Sequence, residues 1–273
     1  MKFSLLMSIY TKENPSHFNR CMQSIWVEQS LKPNEIILVQ DGPLSDELYK
    51  AIAVWKGKLK NKLKIISLQN NVGLGDALKI GIGNCSHEII ARMDTDDISS
   101  PDRFKKQLDF LEQNPNIDIV GSWITEFETD KDVIISYRKL PEQHDEIVKF
   151  AKKRNPLNHP SVMYRKKAVV EAGNYQKMIG FEDYYLWIRM LQNGSKMENI
   201  PESLVSMRAG FSQLERRGGV KYILNEIKFQ EKLLEINFIN YFEFISNIFI
   251  RMTARIMPNS LRGFIYKLIR KKD

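Results

Sequence analysis

Short apolar runs alternate with longer stretches in which apolar residues recur every three or four positions. Short runs bounded by turn residues read as buried strands, and the 3.6-residue period reads as helices packed through one face. On this basis Ser4–Ile9, Glu35–Val39, Leu63–Ser67 and Glu88–Met93 are predicted strands. A helix from Pro15 places Phe18, Cys21, Met22 and Ile25 on one face, and Ser45 caps a helix carrying Leu48, Ile52, Trp55 and Leu59. Leu74–Ile82 is a short helix, and Ser100 with Pro101 behind it starts another that runs to Gln113. Strands alternating with helices predict βαβ crossovers and a mostly parallel α/β sheet flanked by helices.

The middle of the chain is less regular. Ile117–Trp123 and Val133–Tyr137 read as strands, and 158–164 as a loop entering a strand. Lys166–Ala172 is a helix stopped by Gly173, and a helix opening at Gly180-Phe181-Glu182-Asp183 ends at Asn193-Gly194. The tail differs in kind. Ile245, Ile248, Phe249, Met252 and Ile256 fall on one helical face, and Leu261, Phe264, Ile265, Leu268 and Ile269 do so after Pro258. Basic residues occupy the other side of the second segment, the pattern of a helix lying on a membrane surface.

Charge sharpens that contrast. The net charge is +8, and residues 251–273 hold seven Lys and Arg against Asp273 alone. The excess therefore points to an anionic membrane surface as partner of the tail, and no nucleic-acid partner is expected. The 273 residues suffice for a large core. The two cysteines, Cys21 and Cys85, suggest neither a disulfide framework nor a zinc site and favour a reducing compartment. The Phe3–Ile9 run is too short for a signal peptide, and no run approaches the ~18 apolar residues of a spanning helix. The expected location is the cytoplasm, peripheral on the inner face of the cell membrane.

The candidate chemistry lies where the fourth strand ends, at Ile89-Ile90-Ala91-Arg92-Met93-Asp94-Thr95-Asp96-Asp97. Residues i and i+2 of an extended segment project to one side, so Asp94 and Asp96 can point together. Two carboxylates that close repel unless a cation or donors lie between them, and hard oxygens suit Mg²⁺ or Mn²⁺, ions that also carry substrate phosphates. An acidic turn before a helix is the plainer alternative. The polar clusters at Tyr10–Glu13, Asp41-Gly42, Asn70-Asn71 and Asp94–Asp96 all follow strand ends. Parallel sheets bind ligands at that edge.

Five motifs carry a resemblance: Ser8-Ile9-Tyr10, Val39-Gln40-Asp41-Gly42-Pro43, Asn70-Asn71-Val72-Gly73-Leu74, Arg92-Met93-Asp94-Thr95-Asp96-Asp97, and Gly180-Phe181-Glu182-Asp183-Tyr184-Tyr185-Leu186-Trp187. In order and spacing the chain resembles family 2 glycosyltransferases, the bacterial amylovoran-type exopolysaccharide and O-antigen members above all. The resemblance implies a GT-A fold over 1–217, with a nucleotide-sugar half at about 1–115 and an acceptor half at about 116–217. Residues 218–273 would be a helical, basic amphipathic extension. It implies an inverting, metal-dependent transfer of one hexose, from UDP-glucose or UDP-galactose to a sugar on a polyprenyl diphosphate.

Roles follow from the same resemblance. Tyr10, Glu13, Asn71, Gly73, Arg92 and Thr95 would bind the nucleotide sugar, and Asp41 would accept from the uracil N3–H. Asp94 would hold ribose, metal or both, and Asp96 would be the main ligand of Mn²⁺ or Mg²⁺. His159 is a further candidate metal or phosphate ligand, and Arg208, Arg216 and Arg217 are candidate diphosphate or acceptor contacts. Glu182 and Asp183 point about 100° apart on a helix, and the family pattern selects Asp183 as general base. The Gln-x-x-Arg-Trp pattern of processive synthases is absent, which implies addition of a single sugar. A nucleotidyltransferase and a non-catalytic sugar-binding scaffold are the alternatives. The first should carry a Gly-rich loop where Tyr10-Thr11-Lys12-Glu13-Asn14 stands, and the second needs no general base.

Overall fold

A computed structural model describes residues 1–209 and 219–256. Its strands are β1 (Phe3–Ile9), β2 (Glu35–Gln40), β3 (Leu63–Ser67), β4 (Ile89–Arg92), β5 (Ile98–Ser99), β6 (Ile119–Phe127), β7 (Ile134–Arg138), β8 (Met163–Arg165) and β9 (Met197–Arg208). Its helices are α1 (Pro15–Met22), α2 (Asp46–Leu59), α3 (Leu74–Asn84), α4 (Arg103–Gln113), α5 (His144–Ala151), α6 (Lys166–Glu171), α7 (Glu182–Gln192), α8 (Val220–Glu235) and α9 (Tyr241–Ile256).

One sheet runs β3-β2-β1-β4-β8-β6-β9-β5, with β7 pairing β6 beyond the end of β8. The first four strands are parallel, as the alternation predicts. The rest are mixed: β8 runs antiparallel to β4 and β6, β7 antiparallel to β6, β5 antiparallel to β9, and β6 parallel to β9. The expectation of a mostly parallel sheet therefore holds for the first four strands alone. The physical reason lies in the connections. β1 through β4 are joined by helices long enough for crossovers, whereas β6 and β7 are joined by a turn that permits only antiparallel pairing.

The side-chain period of two divides the core. Leu5, Met7 and Ile9 of β1, with Ile36 and Leu38 of β2, pack on one face against Phe18, Met22, Leu48, Trp55 and Phe104. Leu6, Ile37, Val39 and Ile90 face the other way, toward Ala77, Leu78, Val169, Leu186 and Trp187. Both faces are covered, so these strands read as unbroken apolar runs. Cys21 and Cys85 are both buried and unpaired, in keeping with a packing role.

A third apolar cluster joins the outer face of α7 to the C-terminal helices: Phe181, Tyr184, Tyr185 and Ile188 meet Phe229, Leu233 and Ile239. The described part of the extension is thus packed on the α/β fold. The apolar residues of α9 also divide. Ile248 and Met252 line a crevice against α8 with Ile223 and Ile227, while Phe242, Ile245, Phe249 and Ile250 stay exposed. The predicted segment 261–272 lies outside the described residues.

The helix expected from Ser100 begins later, at Arg103, with Asp102 at its N-cap. Ile98 and Ser99 are drawn into a ladder with β9, and the Ser100 N–H donates to Leu204 O (2.9 Å). The strand β9 and the helix α5 were not foreseen.

Gly81 of α3 faces the sheet, where a Cβ would overlap the Leu6 side chain and approach Val39 Cγ2 at 3.0 Å. Gly83, two residues on, has nothing within 4 Å of that position. Gly81→Ala should therefore lower stability by about 1–3 kcal/mol through overpacking. Gly83→Ala should be neutral or raise it by up to about 1 kcal/mol. Urea midpoints of the two variants measure the difference.

Candidate functional site: an acidic loop at the end of β4

Register places the site. Ile9 pairs with Gln40 and Gln40 with Ser67, so β1, β2 and β3 end together. Arg92 pairs with Leu6, so β4 ends three residues lower and its loop passes beneath Tyr10–Glu13. Thr95 Oγ1 donates to Glu13 Oε2 there (2.6 Å).

The loop Asp94–Asp97 brings together more carboxylates than predicted. Oxygens of Asp94, Asp96 and Asp97 lie within 4.8 Å of one another, the one such group among the described residues. Asp97 was missed because the loop abandons the two-residue alternation. One of its oxygens accepts from the Arg208 N–H (2.8 Å), while Oδ2 is buried with no hydrogen-bond partner. Burial and the neighbouring Asp94 and Glu13 carboxylates push the Asp96 carboxyl up to about 7. Burial and then Asp96 push Asp97 well above its ordinary range. An orphaned buried oxygen, three converging hard ligands and a repulsion that Arg92 only partly offsets are what a divalent cation would satisfy. The residues present fit one, with Asp94, Asp96 and Asp97 as the donors.

The counter-charge lies underneath. Arg92 is 1 % exposed, and its Nη2 donates to Asp94 Oδ1. Burial opposes the Arg92 charge, but Asp94 outweighs it and holds the guanidinium above its usual range. Arg103, wholly buried, donates from Nη2 to the Arg92 carbonyl (2.7 Å), while Gln107 takes up Arg103 Nε (3.0 Å) and donates to Ser161 O (2.7 Å). The start of α4 thereby holds the end of β4 in place.

The nucleotide-side residues divide. Both Asp41 oxygens accept from the loop, from Val72 N (2.7 Å) and Gly73 N (3.1 Å), and Asn71 Nδ2 donates to Asp41 O (3.1 Å). Asp41 thus ties the end of β2 to the Asn71–Gly73 loop, and its carboxylate keeps acceptor capacity beyond these two bonds. Gly42 (φ +84°) is required there, since a Cβ would come within 2.7 Å of Asn71 N. Tyr10 is half-buried at the end of β1.

His159 does not join the acidic group. Its Nε2 lies 2.8 Å from the Tyr175 hydroxyl, with its ring against Tyr175 and Trp187. Burial and then Arg92 push its pKa well below the ordinary value, so the ring is neutral, and the candidate metal-ligating group found among the described residues does not include it. Arg208 does reach the site. Its Nε donates to Asp96 O (3.3 Å) and Nη1 to Glu128 O (2.9 Å), with the guanidinium over Phe127. Arg216 and Arg217 lie outside the described residues.

Asp183 stands in the first turn of α7, where Asn155 Nδ2 donates to its Oδ2 (2.7 Å). The other oxygen has no partner among the described residues. Burial pushes the Tyr175 hydroxyl above its ordinary pKa, and Asp183 and Asp94 add to the rise. Glu182 turns elsewhere: its stem lies against Gly75 of α3, and Oε2 accepts from Gly180 N (3.0 Å). Burial pushes it up to about 7. The side chain thus lies between α3 and α7.

The profile described as "Glycosyl transferase family 2" matches residues 4–173. The chain is 40% identical over 271 residues to a UDP-Gal:alpha-D-GlcNAc-diphosphoundecaprenol beta-1,3-galactosyltransferase of Escherichia coli, covering 98% of this chain and 96% of that protein. The chain belongs to glycosyltransferase family 2. It is also 37% identical to the amylovoran biosynthesis glycosyltransferase AmsE of Erwinia amylovora, over 98% of this chain and 99% of that one. The fold is GT-A. S. aureus TarS, solved with UDP-GlcNAc, superposes with a TM-score of 0.64 at 14% identity, over 86% of this chain and 67% of that one. A mannosyltransferase of Pyrobaculum calidifontis, solved with GDP-Man and Mn²⁺, gives 0.65 at 13% identity, over 86% and 64%.

A glycosyltransferase with this acidic loop should show coupled proton and metal binding. A raised carboxyl pKa favours the folded protein at low pH, and that contribution is lost as pH rises from about 4 through about 7. Mn²⁺ held by the loop would replace the lost protons. The rise in Tm on adding Mn²⁺ should therefore be larger at pH 8 than at pH 5.5, and Asp96→Asn should shrink it. Thermal scans at the two pH values measure it.

Proposed function

We propose that this glycosyltransferase moves one hexose from a UDP-sugar to a sugar carried on a polyprenyl diphosphate, with inversion at the anomeric carbon. Galactose is the favoured hexose and glucose the alternative, because the E. coli relative named for UDP-Gal aligns over nearly the whole chain. The same name supports a lipid-diphosphate-linked GlcNAc as acceptor. The observation that carries the reading is the pairing of two acidic centres: Asp94–Asp96–Asp97 in the nucleotide half, and Asp183 with one oxygen unengaged in the acceptor half.

The chemistry follows from that division. A divalent cation at the acidic loop would neutralise the charge that develops on the departing diphosphate. Asp94, Asp96 and Asp97 would hold that cation, and Thr95 and Glu13 brace the loop from above. Asp41 and the Asn71–Gly73 loop form the wall for the nucleoside. The free Asp183 oxygen takes the proton of the acceptor hydroxyl as that oxygen attacks the sugar carbon from the face opposite the diphosphate. The bond to the diphosphate breaks, UDP leaves, and an α-linked donor yields a β-glycoside.

Access to a lipid-linked acceptor requires approach to a membrane. No helix of the described residues is long and apolar enough to cross one. The exposed Phe242, Ile245, Phe249 and Ile250 of α9 instead give the protein an apolar face, and the basic tail beyond favours anionic lipid. Peripheral binding at the inner face of the cell membrane is the proposed location.

Transfer assays, product analysis and vesicle sedimentation test this reading. Asp96→Ala and EDTA treatment of the parent should each abolish transfer, with Mn²⁺ restoring only the latter. Asp183→Asn should lower turnover by about 10²-fold or more while UDP-sugar still binds. Anomeric proton couplings should show a β-linked product. An α product, or full turnover in EDTA, would overthrow the mechanism. Separately, Phe242→Asp with Ile245→Asp should weaken sedimentation with anionic vesicles yet preserve transfer to a short soluble acceptor.

A further inference from the structure

The base assignment leaves open what aims Asp183, a half-exposed carboxylate in a helix first turn, where a side chain can swing between rotamers. One side chain holds it. Asn155 Nδ2 donates to Asp183 Oδ2 at 2.7 Å, and Asn155 Oδ1 accepts from Leu157 N at 3.3 Å. The second bond fixes which end of the amide faces the carboxylate. With Oδ2 engaged, the oxygen left over is the one that can accept a proton.

Asn155 sits on the turn after α5, and that turn is gripped from outside by the C-terminal helices. Buried Asn247 of α9 donates to Lys152 O (2.8 Å) and to Gln230 Oε1 of α8 (3.0 Å). Arg251 donates to Lys153 O while paired with Glu226, and Lys152 Nζ meets Glu243 at 2.9 Å. On the inner side the Tyr184 hydroxyl, next in sequence to Asp183, donates to Ala151 O (2.6 Å). The rings of Phe181 and Tyr184, on either side of Glu182-Asp183, pack on Phe229 of α8 at 4.8 and 4.7 Å. The helix bearing Asp183 and the turn bearing Asn155 are thus fastened to the same pair of helices.

We propose that Asn155 is a positioning residue for the general base, and that α8 and α9 serve catalysis by holding its turn against α7. Asn155 donates to one Asp183 oxygen and so turns the other toward the acceptor hydroxyl. A charge-assisted bond of this length is strong enough to select one rotamer. This rests on Asp183 being the base. It assigns the C-terminal helices a task in the chemistry besides their contact with the membrane.

The test uses the full-length chain, a UDP-sugar that supports transfer, Mn²⁺ and a short soluble acceptor. Asn155→Ala should lower kcat by about 10-fold or more with the KM for UDP-sugar changed less than about 2-fold, because the lost interaction acts on the attacking step. Asn155→Ser, smaller and still polar, guards against a folding defect and should show the same split with an unchanged Tm. In the Asp183→Asn background, Asn155→Ala should add no further loss, since both act through one group. Asn247→Ala should give the same kcat-selective loss, smaller in size. If Asn155→Ala and Asn155→Ser keep kcat within about 2-fold while Asp183→Asn is inactive, the positioning role is wrong and the base stands. Losses that multiply in the double variant would also overturn it. An Asp183→Asn enzyme with parental turnover would instead overturn the base assignment itself.

Discussion

Mutual repulsion among the carboxylates at the end of β4 is the constraint around which the fold is arranged. Asp94, Asp96 and Asp97 converge, and Glu13 adds to their field. A chain left to itself would spread such groups into water. Here they are held by a buried guanidinium beneath them, a second buried arginine clamping the strand end, and a backbone donor from β9 on Asp97. The charge left over is what the proposed cation, carrying a diphosphate, would neutralise.

The same logic accounts for the buried polar layer. Arg92 and Arg103 are too costly to desolvate unless the groups around them are paired. Their pairing fixes the acidic loop, α4 and the turn at Ser161 relative to one another. The aromatic group of His159, Tyr175 and Trp187 fills the space between that layer and α7. The acidic loop and α7 thus share one packed support, which is what the proposed in-line displacement needs, since it tolerates little misplacement.

Much of this could be read in the sequence. The first four strands, their helices and the convergence of four loops follow from apolar runs ending in Asp, Asn and Gly, signals that depend only on neighbouring residues. What stayed hidden depends on distant partners. β9 escaped because Pro201-Glu202 interrupts its pattern, a break the structure absorbs as an irregularity opposite Trp123. Asp97 escaped because alternation places it away from Asp94 and Asp96 until the loop turns. Nothing near Asn155 in sequence foretells a bond to Asp183, and nothing in α8 foretells a place for Phe229 against Phe181. His159 was read as a ligand from its place before a strand near the site, and Glu182 from its place inside a motif. The structure sets His159 against Tyr175 and Trp187 and Glu182 against Gly75, contacts that only the folded chain reveals.

The central claim is that the acidic loop binds a divalent cation together with the nucleoside diphosphate. The most direct measurement is titration calorimetry of UDP into the protein, with Mn²⁺ and with EDTA, on the parent and on Asp96→Asn. The account predicts UDP binding at least ~10-fold tighter with Mn²⁺ in the parent, a difference of about 1.4 kcal/mol or more, and little or no Mn²⁺ effect in the variant. Equal UDP affinity in EDTA and Mn²⁺, in the parent, would contradict it.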